Sequence, residues 1–374
     1  MSKYSKRINQ EMIVLARESR GMTQKELAQL LAVSSGWLSR VEGGLRGIKD
    51  EELLKLTEIL GYPIDFFVQK EPRYGLGVTE VFHRKRRSVT DKTLTKVYAQ
   101  ISIRTMHLSK LLRGLEFGDV SIRPIDLEEF QGNPGDVARL ARASWHVPKG
   151  PIQNSIEMIE CHGGIVIPFD FETGNIDAIS NWTLDMPPLF FVNVHIPTDR
   201  LRFTLCHELG HVIMHQHSVD PNMERQAHEF AAEFLMPERE IRPYLTDLSL
   251  EKLATLKPYW RVSMAALLMR ARDLGEITPR RSRDLWMQMG KAGYRKREPI
   301  EVDIPKESPA LQQQLVSVYR GEMKYSASEL GRLLCLSKRE VCSIYLDSDE
   351  PLEDEDGKAA VEEVENIMRN RDKG

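Results

Sequence analysis

The residues best suited to chemistry lie in one short run, Cys206-His207-Glu208-Leu209-Gly210-His211. On a helix, the His-Glu-x-x-His spacing puts His207 and His211 one turn apart on the same face. There two imidazoles can share one Zn²⁺ while Glu208 points toward the metal's open side. A catalytic zinc takes three protein ligands and keeps its fourth position open. Glu224 is the expected third ligand. On a helix running from Met223 and stopped by Pro237, Glu224, Ala227, His228, Ala231 and Leu235 share one face. Phe230 and Phe234 flank that face, and Glu229 and Glu233 are expected to turn to solvent. The two alanines would let this helix lie close against the first. His228, one turn from Glu224, reads as a neighbour that orients the ligand, although it could itself be one. His215 and His217 read as polar residues at a helix end, since three ligands at successive turns of one helix fit a tetrahedron poorly. Cys206 reads as a buried thiol.

Other elements must position these groups. After Pro197, Thr198-Asp199 offers an N-cap and a first-turn carboxylate, and Leu201, Leu205, Leu209 and Val212 recur at helical spacing. Upstream, residues 136–145 and 152–160 predict helices. Gly163-Gly164 then leads into a short β-branched strand, Ile165-Val166-Ile167, and residues 176–182 and 189–194 predict two more strands. A small sheet beside two metal-site helices is the expected architecture. Downstream, residues 250–274 read as helical, with a break at Lys296-Arg297-Glu298-Pro299.

The stretches from Arg200 to His211 and from Glu224 to Pro237 resemble the ImmA/IrrE family of bacterial and phage zinc endopeptidases, over about residues 138–299. The resemblance implies a zincin-like metallopeptidase domain in which His207, His211 and Glu224 hold Zn²⁺ and Glu208 is the base. Where the family usually has Asn or Asp after the alanine, this chain has His228. The implied chemistry is hydrolysis. Zinc can bring the pKa of bound water to about 7, and Glu208 can take its proton and pass it to the leaving amine. In zinc peptidases with this motif an edge strand commonly pairs with the extended substrate, so the cleaved segment is expected to be a flexible, strand-competent loop. His195, Tyr244 and Tyr259 are candidate further donors, each read first as structural.

The amino-terminal residues 8–67 follow an all-helical pattern. Thr23 caps a helix from Gln24 to Leu31, and Val33-Ser34 opens another, Ser35 to Glu42, ended by Gly43-Gly44. The run T-Q-x-E-L-A-x-x-L-x-V-S-x-x-x-L-S-R-x-E-x-G resembles the Cro and phage-repressor (XRE) class of helix-turn-helix domains. That implies DNA as a partner, with Ser34, Ser35, Gly36, Trp37 and Ser39 as candidate readers of base edges and Gln24 and Arg40 on phosphates. Trp37 could instead belong to the core. A helical bundle for protein contact or dimerisation is the competing reading.

The expected domains are a helix-turn-helix bundle at 1–69, a basic linker and connecting helix at 70–130, the metallopeptidase domain at 131–299, a helical module at 300–346 and an acidic mobile tail at 347–374. Together they predict a mainly α, α+β protein. The linker carries 11 Lys or Arg against 3 Asp or Glu from Lys70 to Arg113, with His83-Arg84-Lys85-Arg86-Arg87 at its middle. That run could lie along a DNA backbone or be a solvated face. In the 300–346 module, Ser326 and Ser337 each cap a helix around a turn at Cys335-Leu336. A plain hairpin is expected there in preference to a second helix-turn-helix. From Tyr345 onward 11 acidic residues face 4 basic ones.

The whole chain of 374 residues has net charge −3, so any DNA affinity must come from a local patch. Its four cysteines lack Cys-x-x-Cys spacing, which predicts neither a disulfide framework nor a thiolate site and suits a reducing, cytoplasmic setting. A polar amino terminus and the lack of an apolar run near ~18 residues predict neither secretion nor membrane insertion. One functional expectation follows from the family resemblance: a cytoplasmic, DNA-binding zinc endopeptidase that cuts a transcriptional repressor, possible also as a homodimer. Its rival is a transcriptional regulator or antitoxin whose peptidase-like domain senses a ligand or partner without proteolysis.

Overall fold

The computed structural model describes residues 8–75, 89–115, 117–183, 185–216 and 220–346. The basic run from His83 to Arg87, His217 and the acidic tail from 347 lie outside the described residues. The described residues are mainly helical with one three-stranded sheet, the mainly α, α+β class expected. They fall into two compact units, one from residues 8–73, 106–115 and 313–346 and the other from those between 74 and 105 and between 117 and 312, with helix Asp91–Arg113 contributing to both. No helix among the described residues is long and apolar enough to cross a membrane.

In the first unit, α1 (Gln10–Ser19) starts at Asn9, whose side chain accepts from the Glu11 amide, and buries Met12, Ile13, Leu15 and Ala16 completely. A Thr23–Glu26 capping box opens α2 (Gln24–Leu30), satisfying two amides that a helix start leaves unpaired. Ala32, at φ 56°, turns the chain into α3 (Ser35–Glu42), where the Ser34 side chain caps the Trp37 amide. Arg17 grips both carboxylate oxygens of Glu42, tying α1 to α3. Then α4 (Asp50–Leu60) stops at Gly61, whose φ of 68° suits a residue without a Cβ. A short α5 (Ile64–Val68) returns Phe66 and Phe67 to the core. Helices Leu311–Gly321, Ala327–Leu334 and Lys338–Tyr345 complete this unit, the first fixed by a Tyr319 hydroxyl that donates to the Leu111 carbonyl at 2.8 Å.

The second unit is organised on the sheet, in the order β1-β3-β2. Strand β1 (Ile165–Phe169) runs parallel to the central β3 (Leu189–Asn193), and β2 (Ala178–Asn181) pairs antiparallel with β3 on its other side, leaving β2 at an edge. All of β3 is buried, which is why Leu-Phe-Phe-Val reads as a continuous apolar run. Helix Thr198–Met214 packs on β2 and β3, and its Leu205 and Leu209 are fully buried in the core. Each such leucine contributes about 1.5–3 kcal/mol of burial.

Three local expectations change. Pro197, not Thr198, occupies the cap of that helix, and Asp199 is drawn inward to the buried Lys257 at 2.5 Å. Residues 250–274 form two helices, Leu250–Trp260 and Met264–Asp273, because Arg261 takes a left-handed conformation and Ser263 caps the second. Glu233 is not a solvated charge. It is 3% exposed, pairs with Arg139 at 2.8 Å and with Arg270, and so joins three helices.

Candidate metal centre

Helix Thr198–Met214 presents His207 and His211 in T-shaped contact, with their Nε2 atoms 3.1 Å apart. Helix Met223–Leu235 packs closely beside it and brings Glu224 to them: Oε2 lies 3.6 Å from His207 Nε2 and Oε1 lies 3.3 Å from His211 Nε2. The close approach depends on Gly210. A Cβ there would lie 3.1 Å from Phe230 Cδ1 and 3.3 Å from the Ala227 Cα. Ala227 and Ala231, fully buried, supply the matching low surface on the second helix. One ligand atom from each of His207, His211 and Glu224 lies within 4.8 Å of the others, so the three could hold a metal ion. Hydrogen bonds from His207 and then His211 hold the Glu224 carboxyl far below the usual carboxylate range.

Glu208, 4% exposed, lies between this helix and the sheet edge. Its Oε2 accepts two hydrogen bonds from Ser180 on β2, one from the backbone N–H at 3.0 Å and one from the hydroxyl at 2.7 Å. Both donors use the same oxygen and fix the carboxylate's orientation.

A polar relay runs behind His211. His211 Nδ1 and His215 Nδ1 are 3.0 Å apart, His215 Nε2 is 3.0 Å from Gln226 Oε1, and Gln226 Nε2 donates to Asp220 Oδ2 at 2.9 Å. Each nitrogen of a neutral imidazole either donates or accepts, so this chain has one consistent polarity. The Gln226 carbonyl requires a proton on His215 Nε2. His215 Nδ1 therefore accepts from His211 Nδ1–H, which leaves His211 Nε2 as the atom that faces Glu224 and that would serve a metal. His215 is thus 4% exposed and neutral, its pKa lowered from 6.5 to about 4 by burial and then by the charge of His211. His215 does sit at the helix end, as its C-cap, but buried and bonded where a polar helix end would face solvent.

His228 packs its ring against Phe203 at 4.9 Å between centroids, and burial above all lowers its pKa. A cavity of about 780 Å³ begins there, one turn along from His207 and from Glu224, and extends past Met269 to Trp286 and Arg295. Cys206 is fully buried, and burial pushes its thiol up to about 12. Of the other candidate donors, His195 pairs with Asp170 at 3.3 Å, while Tyr244 stacks on Tyr259. Glu229 pairs on the surface with Arg225.

On the helix-turn-helix, Ser34, Ser35, Gly36, Ser39 and Arg40 are exposed. A Cβ at Gly36 would meet nothing, which leaves room for a groove wall to approach. Trp37, only 7% exposed, belongs mostly to the core, with Arg46 over its ring. The Gln24 amide donates to Glu42 Oε2 at 2.7 Å, inside the Arg17–Glu42 contact.

Sequence reasoning missed Ser180, Gln226 and Asp220, and the burial of His215 among them. His215 did carry a signal, since it continues the i, i+4 stripe of His207 and His211. Ser180 carried none, because its contact with Glu208 joins an edge strand to a helix 28 residues away.

Residues 159–272 match the family model described as the IrrE N-terminal-like domain, and residues 15–65 match that of a helix-turn-helix domain. The chain therefore combines a metallopeptidase-like domain with a DNA-binding type of domain. No curated protein matches it.

Proposed function

We propose that this chain, an IrrE N-terminal-like domain joined to a helix-turn-helix, is a DNA-binding zinc endopeptidase that hydrolyses a peptide bond in a transcriptional repressor. The observation that carries the reading is the spacing of His207, His211 and Glu224. Their nearest ligand atoms stand 3.1, 3.3 and 3.6 Å apart. Ligands about 2.1 Å from a tetrahedral zinc are separated from one another by about 3.4 Å. The donor set, two imidazoles and a carboxylate, suits zinc as well. When bound, zinc would supply Lewis acidity to the scissile carbonyl and make water nucleophilic near neutral pH.

The chain's own residues do the rest. Ser180 occupies Oε2 of Glu208, which leaves Oε1 to accept the proton of the attacking water and return it to the departing amine, so that one water is consumed and two chain ends form. The relay through His215, Gln226 and Asp220 fixes the His211 ring and its tautomer. The cavity from Phe203 and His228 to Trp286 can take a large substrate side chain beside the scissile bond. DNA binding by the amino-terminal domain would concentrate the enzyme where repressors sit.

The test is a comparison of the zinc-loaded chain with its Glu208→Gln variant on a fluorescence-quenched peptide library and on repressors encoded nearby. The variant should hold zinc at full stoichiometry and cleave nothing. A wild-type chain that binds zinc but leaves every substrate intact favours the rival reading, a regulator whose peptidase-like domain senses a partner.

A further inference from the structure

The three helices at 311–345 repeat α1–α3 of the helix-turn-helix domain, residue for residue around the turn. From Ser326 onward each position carries a number 303 higher than its counterpart. Thr23 and Glu26 form a capping box, as do Ser326 and Glu329. Leu27 and Leu31 are buried, as are Leu330 and Leu334. The turn residue is left-handed in both, Ala32 at φ 56° and Cys335 at φ 57°. The next amide closes the turn in both, Val33 to the Ala28 carbonyl and Leu336 to the Gly331 carbonyl, each at 2.9 Å. Ser34 then caps Ser35–Glu42 and Ser337 caps Lys338–Tyr345, two helices of 8 residues each. Leu38 and Val341, both fully buried, hold the second helix against the first.

Sequence alone favours a plain hairpin here. A plain hairpin has no reason to share a left-handed turn residue, two caps and a buried register with the other copy. The charges differ between the copies in one direction. Residues 10–42 carry four Lys or Arg and four Asp or Glu, whereas residues 311–345 carry five and three. At the start of the second helix, Lys338 and Arg339 stand where the first copy has Ser35 and Gly36. Arg339 is exposed. The nearby acids are engaged: Glu329 in its own capping box, and Glu340 with Arg20 at 2.8 Å.

We infer that residues 311–345 are a second helix-turn-helix that holds duplex DNA through the phosphate backbone, with Lys338 and Arg339 as contacting residues. It lacks the first copy's run of small polar residues at the helix start, so its contribution is affinity rather than sequence choice. Both copies belong to one compact unit, so one chain would carry two DNA-contacting helices.

The experiment uses the full chain and a fluorescent random-sequence duplex of about 40 base pairs, roughly four helical turns, followed by anisotropy across a salt series. Each phosphate contact contributes about 0.9 to the slope of log affinity against log salt. Lys338→Gln with Arg339→Gln should lower the slope by about 1.8 and weaken binding about tenfold or more at moderate salt. Adding Arg40→Gln should lower it by about 0.9 more. Circular dichroism and the melting temperature should match wild type, since both side chains sit at a helix start on the surface, and Lys338→Ala with Arg339→Ala serves as the check. An unchanged slope in both double variants overturns the proposal, as does a wild-type chain with no salt-dependent DNA binding. Zinc content and peptide hydrolysis play no part in the measurement, so it stands apart from the peptidase reading.

Discussion

Ser180 donates twice to one oxygen of Glu208, from its N–H at 3.0 Å and its hydroxyl at 2.7 Å. Substituting Ser180→Ala removes the hydroxyl and leaves the amide. A hydrogen bond to a charged group contributes about 1.5–3 kcal/mol, so turnover of the zinc-loaded chain should fall about tenfold or more. Zinc content and KM should stay put, and Ser180→Thr should recover most of the rate. Wild-type turnover in Ser180→Ala would show that the amide alone positions the carboxylate.

His215 should matter to metal retention although it is not a ligand. Loss of a hydrogen-bonding partner behind a ligating histidine typically weakens metal affinity by about 10–100-fold. Competition with a chromophoric chelator should give such a loss for His215→Ala, a smaller one for Gln226→Ala, and the largest for Glu224→Ala. Equal affinities in wild type and His215→Ala would remove the relay from the account.

The same histidine sets a pH response in the zinc-free chain. Burial, then the charge of His211, lowers its pKa from 6.5 to about 4. Between those values the unfolded chain binds a proton that the folded chain does not. Stability from this group is therefore intact above pH 6.5 and is lost as pH falls through about 4. Melting curves of the zinc-free protein should move to lower temperature across that window, and His215→Gln should flatten the trend.

Glu233 should be among the costly positions of the second unit. It answers Arg139 at 2.8 Å and the buried Arg270, so Glu233→Ala strands a charge that is 8% exposed. Urea denaturation should report a loss of about 3–5 kcal/mol, with Glu233→Gln less severe. A change within about 0.5 kcal/mol would mean that Arg270 finds water or another acceptor.

Much of this was legible in the residues because the chemistry is local. The spacing of His207 and His211 needs only helical geometry, and the capping signals Thr23–Glu26 and Ser326–Glu329 lie within four residues of chain. The three strands were readable from β-branched and aromatic runs. What could not be read depends on partners distant in sequence. Glu233 looked exposed because its helical face was judged from one helix, while Arg139 lies 94 residues before it. The break at Arg261 has no glycine to mark it, since an arginine there takes the left-handed conformation, and the nearby Pro258 lies inside the helix and not at its end. The repeat of Ala32 by Cys335 was hidden because neither residue type advertises a positive φ.

Gly210 makes the gap between the two ligand-bearing helices into a gauge. With no side chain there, the Ala227 backbone and the Phe230 ring rest against the first helix, and the backbone separation fixes the size of the His207–His211–Glu224 triangle. A methyl group at 210 would ask the Phe230 ring and the Ala227 backbone to give by a few tenths of an ångström, so the spacing of His207, His211 and Glu224 answers to a position that carries no ligand atom at all.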